Sequence, residues 1–324
     1  MSKDFNLRAV YGQVILGVSP AKIGGASAHI RHPSPLEQGE LDGEYELLLA
    51  TALERGLHSE EERLKSLEAD GLWTEKQEKD LLSTLDMING LRTSKRHLAL
   101  QSQIEVVNKQ IEEKNKKSVR MQNERADLIG LTAELFARKK LNERYIFRSI
   151  FADRGCQNPF FSDEDYNSLD MHELNAVAMQ FNEAMKFFGH ETLKKIALQS
   201  FFQDSYGLCD DNVFNFYGKP IIQLTFYQAD LVNFGRFFRP IIYSEQKPPA
   251  AIMSDPDKII DWFQAGKNAE KMINSHSSSN VAVIDATKED LAAISEQKPE
   301  AVTFQTLAKG KTSMRGAEFM KMLN

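Results

Sequence analysis

The sequence predicts a mostly α, multi-helix protein with a long antiparallel helical hairpin, a short N-terminal strand or extended arm, and a flexible C-terminal tail. Three observations carry this. First, Ser, Thr or Asp stands three residues before Glu or Gln at Ser34-Glu37, Ser59-Glu62, Thr74-Gln77, Ser102-Glu105, Asp170-Glu173 and Thr225-Gln228, each at a break in the apolar pattern. In such a capping box the first side chain accepts from the backbone N–H of the third helical residue, and the Glu or Gln accepts from the N–H of the cap itself. Second, amphipathic runs follow these boxes. Third, residues 275–280, Ser-His-Ser-Ser-Ser-Asn, have linker composition, and the chain beyond them is thin in apolar residues. The same spacing also occurs inside helical pattern, at Thr51-Glu54 and Ser200-Gln203, so placement rather than spacing is the evidence.

In chain order, residues 1–33 read as an extended N-terminal arm. Residues 10–18, Val-Tyr-Gly-Gln-Val-Ile-Leu-Gly-Val, are β-branched and aromatic and predict a short strand, with Gly24-Gly25 as a flexible joint. Residues 34–153 form an N-terminal helical region. Ser34-Pro35 opens its first helix, which stops at Gly56; the second runs from Ser59 to Gly71. Trp73 sits at the next junction, expected to anchor against the first helix. Thr74 opens a third helix with Leu81, Leu82, Leu85, Ile88 and Leu91 on one face. The longest helical stretch, 101–128, places Ile104, Val107, Ile111, Lys114, Ser118, Met121, Arg125 and Leu128 at a/d-like positions. Its middle is too polar for a free-standing coiled coil. It is therefore expected to fold back on the third helix, with a solvated tip at Lys109, Glu112, Glu113, Lys114, Lys116 and Lys117. After Gly130 a further helix is expected through Phe136 and Ile146 to Asp153.

Residues 154–274 form an aromatic-rich helical domain. It should hold a loop at 155–161, helices at 170–189 and 191–206, and an irregular link at 210–220. A helix from Thr225, disturbed by Gly235 and Pro240, and a last helix from Pro256 to near Asn274 complete it. Residues 275–324 are linker and tail, with an amphipathic stretch at 314–323.

The balance of 40 basic and 46 acidic residues, net −6, weighs against a dedicated nucleic-acid binder, which needs basic excess to neutralise phosphates. Apolar runs are too short for a membrane span. Two cysteines, Cys156 and Cys209, are too few for a disulfide framework and predict an intracellular chain. His29 and His32 lack the further ligands a zinc site needs, and Asp210-Asp211-Asn212 lacks the closing Glu of a calcium loop. No catalytic, cofactor or metal motif emerges, and the chain is expected to be a non-enzyme. The candidate partner-binding residues are therefore apolar: Phe201, Phe202, Tyr217, Tyr227, Phe234, Phe237 and Phe238 in the aromatic stretch, and Phe319, Met322 and Leu323 near the end.

Residues 30–37 (Ile-Arg-His-Pro-Ser-Pro-Leu-Glu), 71–74 (Gly-Leu-Trp-Thr), 129–134 (Ile-Gly-Leu-Thr-Ala-Glu) and 217–220 (Tyr-Gly-Lys-Pro) resemble a family of helical proteins of large contractile-tailed bacteriophages. These are labelled structural proteins or tail-assembly chaperones, and the resemblance runs from about residue 30 to 275. It implies a non-enzymatic assembly factor that holds a tail, tape-measure or baseplate component in the host cytoplasm. The alternatives are a permanent subunit of the phage neck, tail or baseplate, present in the virion, and a helical enzyme with an unrecognised site.

Overall fold

The computed structural model describes residues 6–210 and 212–275. Helix accounts for 71% of them, against roughly one-third in an ordinary globular protein. The described residues fall into two compact units, neither continuous in sequence: those up to Leu72 with Leu128–Pro256, and those of Trp73–Asp127 with the helix that continues from Asp257. This differs from a division near residue 153. The reason is topological, because the helical hairpin is an insertion and the last helix returns to pack on it.

In the first unit the segment expected as a strand is helical. α1 spans Leu7–Leu16; Asn6 accepts from the N–H groups of Arg8 and Ala9, and Gly17, at φ 71°, ends the helix. β-branched residues lower helix propensity by only a few tenths of a kcal/mol each. The cap, the stop and burial of Val10 and Val14 outweigh that. The strand lies further on. β1 (Val18–Ile23) pairs antiparallel with β2 (Ala26–Arg31), and Gly24 and Gly25, at φ 57° and 84°, form the two-residue turn between them. The expected flexible joint is thus a hairpin turn.

α2 (Pro35–Glu54) and α3 (Glu60–Ala69) open with the expected capping boxes. α6 (Ala133–Arg148) is capped by Thr132 and packs along α2. Glu44 of α2 is held between Arg144 and Arg148 of α6; burial alone would raise its pKa, but the two guanidinium groups pull it below the usual value. β3 (Ile150–Phe151) adds to β2, giving the order β1-β2-β3. Ile23, Ile30, Ile146, Ile150, Val177 and Phe181 form a core between this sheet, α6 and α8 (Met171–Met185). α7 (Asp163–Ser168) carries a box that the Glu/Gln pattern misses, since Asp165 reaches back to the N–H of Ser162.

The expected helix at 191–206 is two helices, α9 (His190–Ala197) and α10 (Ser200–Gly207), broken where Gln199 is extended at ψ 143°. α11 (Val213–Tyr217), within the link, is capped by Asn212. A 3₁₀ turn (Ile221–Gln223) leads to α12 (Phe226–Ile242), which packs on α9 and α10. α12 runs unbroken past Gly235 and Pro240, although Pro240 has no N–H to donate to the Arg236 carbonyl. Gly235 is buried at a close approach: a Cβ there would meet the Phe202 ring at 2.8 Å. Gly235→Ala should therefore destabilise by about 1–3 kcal/mol despite the gain in helix propensity. An unchanged or raised unfolding midpoint would refute the close packing.

In the second unit α4 (Glu75–Lys95) and α5 (Gln101–Ile129) form the antiparallel hairpin, and α13 (Pro256–Ser275) joins them. At one end Arg125 makes a two-pronged bond to Glu78; at the other Lys95 donates to Asn108. Asp261 of α13 accepts from Lys95 and Asn108, and Asn268 donates to the carbonyls of Arg96 and Leu98. Trp73 is buried, with its indole N–H donating to Glu78.

The a/d-like positions of α5 all lie on its sheltered face, from Ile104 and Val107 to Arg125 and Leu128. Two expectations need correction. The tip is the turn at residues 96–100, whereas Lys109 to Lys117 run along the middle of α5. Ser102 lies inside α5, which begins at Gln101, so Ser102-Glu105 is not a capping box. Ile111 is only half-buried, but Ile104 is 1% exposed. Ile104→Ala should cost about 2–5 kcal/mol, and Ile111→Ala clearly less. Equal losses in chemical denaturation would refute this seam.

Candidate functional site

The aromatic stretch divides into core and surface. Phe202 and Phe238 are fully buried, which corrects their assignment as partner-binding residues. Phe202 stacks on Tyr206 at 5.3 Å, with Phe216 edge-on to both. Phe201 is half-buried beneath the guanidinium of Arg8, and Phe234 is half-buried beside His190. Tyr217 and Tyr227 are inward: Tyr217 donates to the Gln228 carbonyl, and Tyr227 stacks on Phe188 at 5.2 Å. Burial raises the pKa of both phenols. Of the seven candidates in this stretch only Phe237 is on the surface, at 37% exposure. Phe319, Met322 and Leu323 lie outside the described residues.

The first unit instead gathers a junction where the end of α1, the end of β2, the start of α2 and the start of α12 meet. Gln228 organises it. Its Oε1 accepts from the N–H of Thr225, completing the α12 capping box, while its Nε2 donates to the carbonyls of Val14 and Ile15, both at 2.9 Å. One amide thus bonds backbone groups at the start of one helix and the end of another. Gly17 packs against Thr225, and its carbonyl accepts from the N–H of His32; the N–H of Phe226 donates to the Pro33 carbonyl.

Under this junction lies a sealed polar pair. Ser19 Oγ is 2.7 Å from His32 Nε2, in a hydrogen bond whose direction the imidazole tautomer sets. Both residues are buried, and the His32 ring is packed edge-on against Phe188 and Tyr227. Burial, reinforced by the charge of Lys219, pushes the His32 pKa down to about 3. The imidazole is therefore neutral at physiological pH. Its Nδ1 has no hydrogen-bond partner among the described residues. A catalytic Ser–His pair needs a carboxylate or similar group to orient that nitrogen, and a path for substrate. Among the described residues no carboxylate bonds that nitrogen, and both members of the pair are buried.

Above the pair the junction exposes apolar side chains: Leu16, Leu36, Ile221, Ile222 and Phe226. The 3₁₀ turn packs on α2, and the Pro33–Phe226 bond holds α12 beside it, so these residues share one region. Ile221 is 68% exposed and Leu36 55%, more than any aromatic candidate above. No family model, curated protein or solved structure matches the chain. A shallow groove between β1 and α8, lined by Pro20, Lys22, Met179 and Glu183, holds no converging catalytic groups. Among the described residues no three His, Cys, Asp or Glu side chains are placed to hold a metal ion. No described helix is long and apolar enough to cross a membrane.

Sequence reasoning misses this rim because it follows aromatic density. Only Phe226 falls within that density, and nothing in its spacing separates it from the buried rings. A readable signal does exist. Ile221-Ile222 follows Gly218-Lys219-Pro220 and precedes the Thr225 cap, which places it outside any long helix.

Proposed function

We propose that this protein is a non-enzymatic assembly factor of a contractile-tailed phage, chaperone-like, which covers apolar surface on a tail or baseplate component in the host cytoplasm. The observation that carries the reading is the junction rim. Leu36, Ile221, Ile222 and Phe226 are exposed, and the α12 start that carries Phe226 is fixed by the buried hydrogen bonds of Gln228. Rigid exposed apolar side chains bind partners with little loss of conformational entropy. The resemblance of residues 30–37, 71–74, 129–134 and 217–220 to phage proteins supplies the biological setting.

Mass spectrometry of purified virions tests the role. An assembly factor is absent from the particle, whereas a neck, tail or baseplate subunit is present in stoichiometric copies. Ile221→Asp with Ile222→Asp tests the surface, and should abolish recovery of the tail component from infected cells without lowering the melting temperature. Recovery equal to that of the unaltered chain would overturn the rim as the contact.

A further inference from the structure

We propose that the outer face of α2 is a docking surface for a basic amphipathic helix of a partner protein. The inference rests on the reading of this chain as a binding protein and names the chemistry of its partner.

Between Pro35 and Glu54 the chain has six carboxylates, Glu37, Glu40, Asp42, Glu44, Glu46 and Glu54, and no Lys or Arg. α2 packs on α6 through one face, which carries the buried Leu48 and Ala52 and the Glu44 ion pairs. At helical periodicity Leu36, Glu40, Gly43, Leu47, Ala50 and Glu54 line a second face, about a third of a turn round from Leu48 and Ala52. All six are exposed, Leu47 at 66%, and Leu53 is exposed at its edge. This stripe spans about 27 Å, enough for a partner helix of about five turns. It starts at Leu36, within the junction rim.

Three features select the occupant. Leu36, Leu47 and Leu53, spread over about four and a half helical turns, give separate exposed apolar anchors along the helix. Gly39 and Gly43 leave a notch, since a Cβ at either would meet nothing within 4 Å, so another backbone can approach closely there. The charge is one-sided. Glu37 is engaged by Arg31, and Glu44 by Arg144 and Arg148, whereas Glu40, Glu46 and Glu54 make no ion pair among the described residues. A helix with leucine and alanine on one face and flanking Lys or Arg matches all three, and an acidic helix or a nucleic-acid strand is repelled.

The test uses the full chain and a synthetic amphipathic peptide of about 18 residues, with Leu and Ala on one face and Lys at the flanks. A second peptide carries Glu in place of every Lys. Gly43→Leu fills the notch and Leu47→Ser removes an anchor; both positions are exposed, and circular dichroism checks that the helices persist. Glu61→Lys on α3 is the control for general charge. The Lys peptide should bind, each α2 variant should weaken it about tenfold, Glu61→Lys should leave it unchanged, and the Glu peptide should not bind. Equal binding of both peptides, equal affinity for chain and α2 variants, or no binding of the Lys peptide would each overturn the proposal. Those outcomes are independent of virion composition, so failure of this partner class is distinguishable from failure of the assembly role.

Discussion

Gln228→Glu is expected to destabilise the first unit by about 3–5 kcal/mol near neutral pH, the scale of leaving a buried charge unpaired. The replacement has the same shape, and its carboxylate still accepts from the Thr225 N–H. The Nε2 donor is lost, however, and an anionic oxygen then faces the carbonyls of Val14 and Ile15. That environment raises the pKa of the new carboxyl in the folded state. A raised folded pKa gives a deficit that is largest above the folded value and shrinks as the pH falls toward the unfolded one. Urea unfolding at pH 7 and pH 5 measures both parts. Gln228→Ala, which loses cap and tie together, should cost about 2–4 kcal/mol without that pH dependence. A Glu variant as stable as the unaltered chain would mean that the amide does not join α1 to α12.

His32 should make the first unit acid-sensitive. Its folded pKa is pushed down to about 3, against 6.5 for the free imidazole. Above pH 6.5 neither state binds the proton and stability is at its maximum. Between pH 6.5 and about 3 the unfolded chain takes up a proton that the folded chain refuses, and stability falls with pH. The loss from this one group reaches about 2–3 kcal/mol by pH 4.5, at 1.36 kcal/mol per pH unit. His32→Gln, uncharged and still within reach of Ser19, should remove this slope between pH 6.5 and 4.5. Carboxylates such as Glu44 and Glu78 add their own losses at lower pH. Burial alone would raise the Glu78 pKa, but Arg125 and the Trp73 indole outweigh it and hold it down. Parallel pH profiles for the unaltered chain and the Gln variant would show that His32 titrates normally.

The helices are legible where a local rule fixes both ends. Ser34, Ser59, Thr74, Asp170 and Thr225 each cap a helix as their spacing implies, because cap and partner lie within four residues. Ser102 does not, because α5, with Leu100 and Ile104 buried at its start, begins at Gln101, two residues before a Ser102 cap would place it. α1 departs from its pattern for the opposite reason: Val10, Tyr11, Val14 and Ile15 favour strands, and what decides for helix is Asn6, Gly17 and an amide at position 228. The candidate site is less legible still. His32 reads as a loop histidine, and its burial against Ser19, Phe188 and Tyr227 is assembled from three distant parts of the chain, the β1–β2 hairpin and the segments around residues 188 and 227. Exposure of Leu36 and Leu47, against burial of Leu48, depends on which side of α2 meets α6, and that is a tertiary fact.

The bond from Gln228 to Val14 and Ile15 spans more than two hundred residues, and it bears on how the protein is made. At about 5–20 residues per second, a ribosome needs roughly ten to forty seconds to travel from one partner to the other. Throughout that interval the finished α1 waits with the Ile15 carbonyl lacking its Gln228 partner and the Val14 carbonyl served by the Gly17 N–H alone, and the hairpin waits for α13. Neither unit closes until well past the middle of synthesis. Ribosome-bound chains arrested before residue 228 should thus remain protease-sensitive near α1, and those extended far enough to free α12 from the exit tunnel should become resistant.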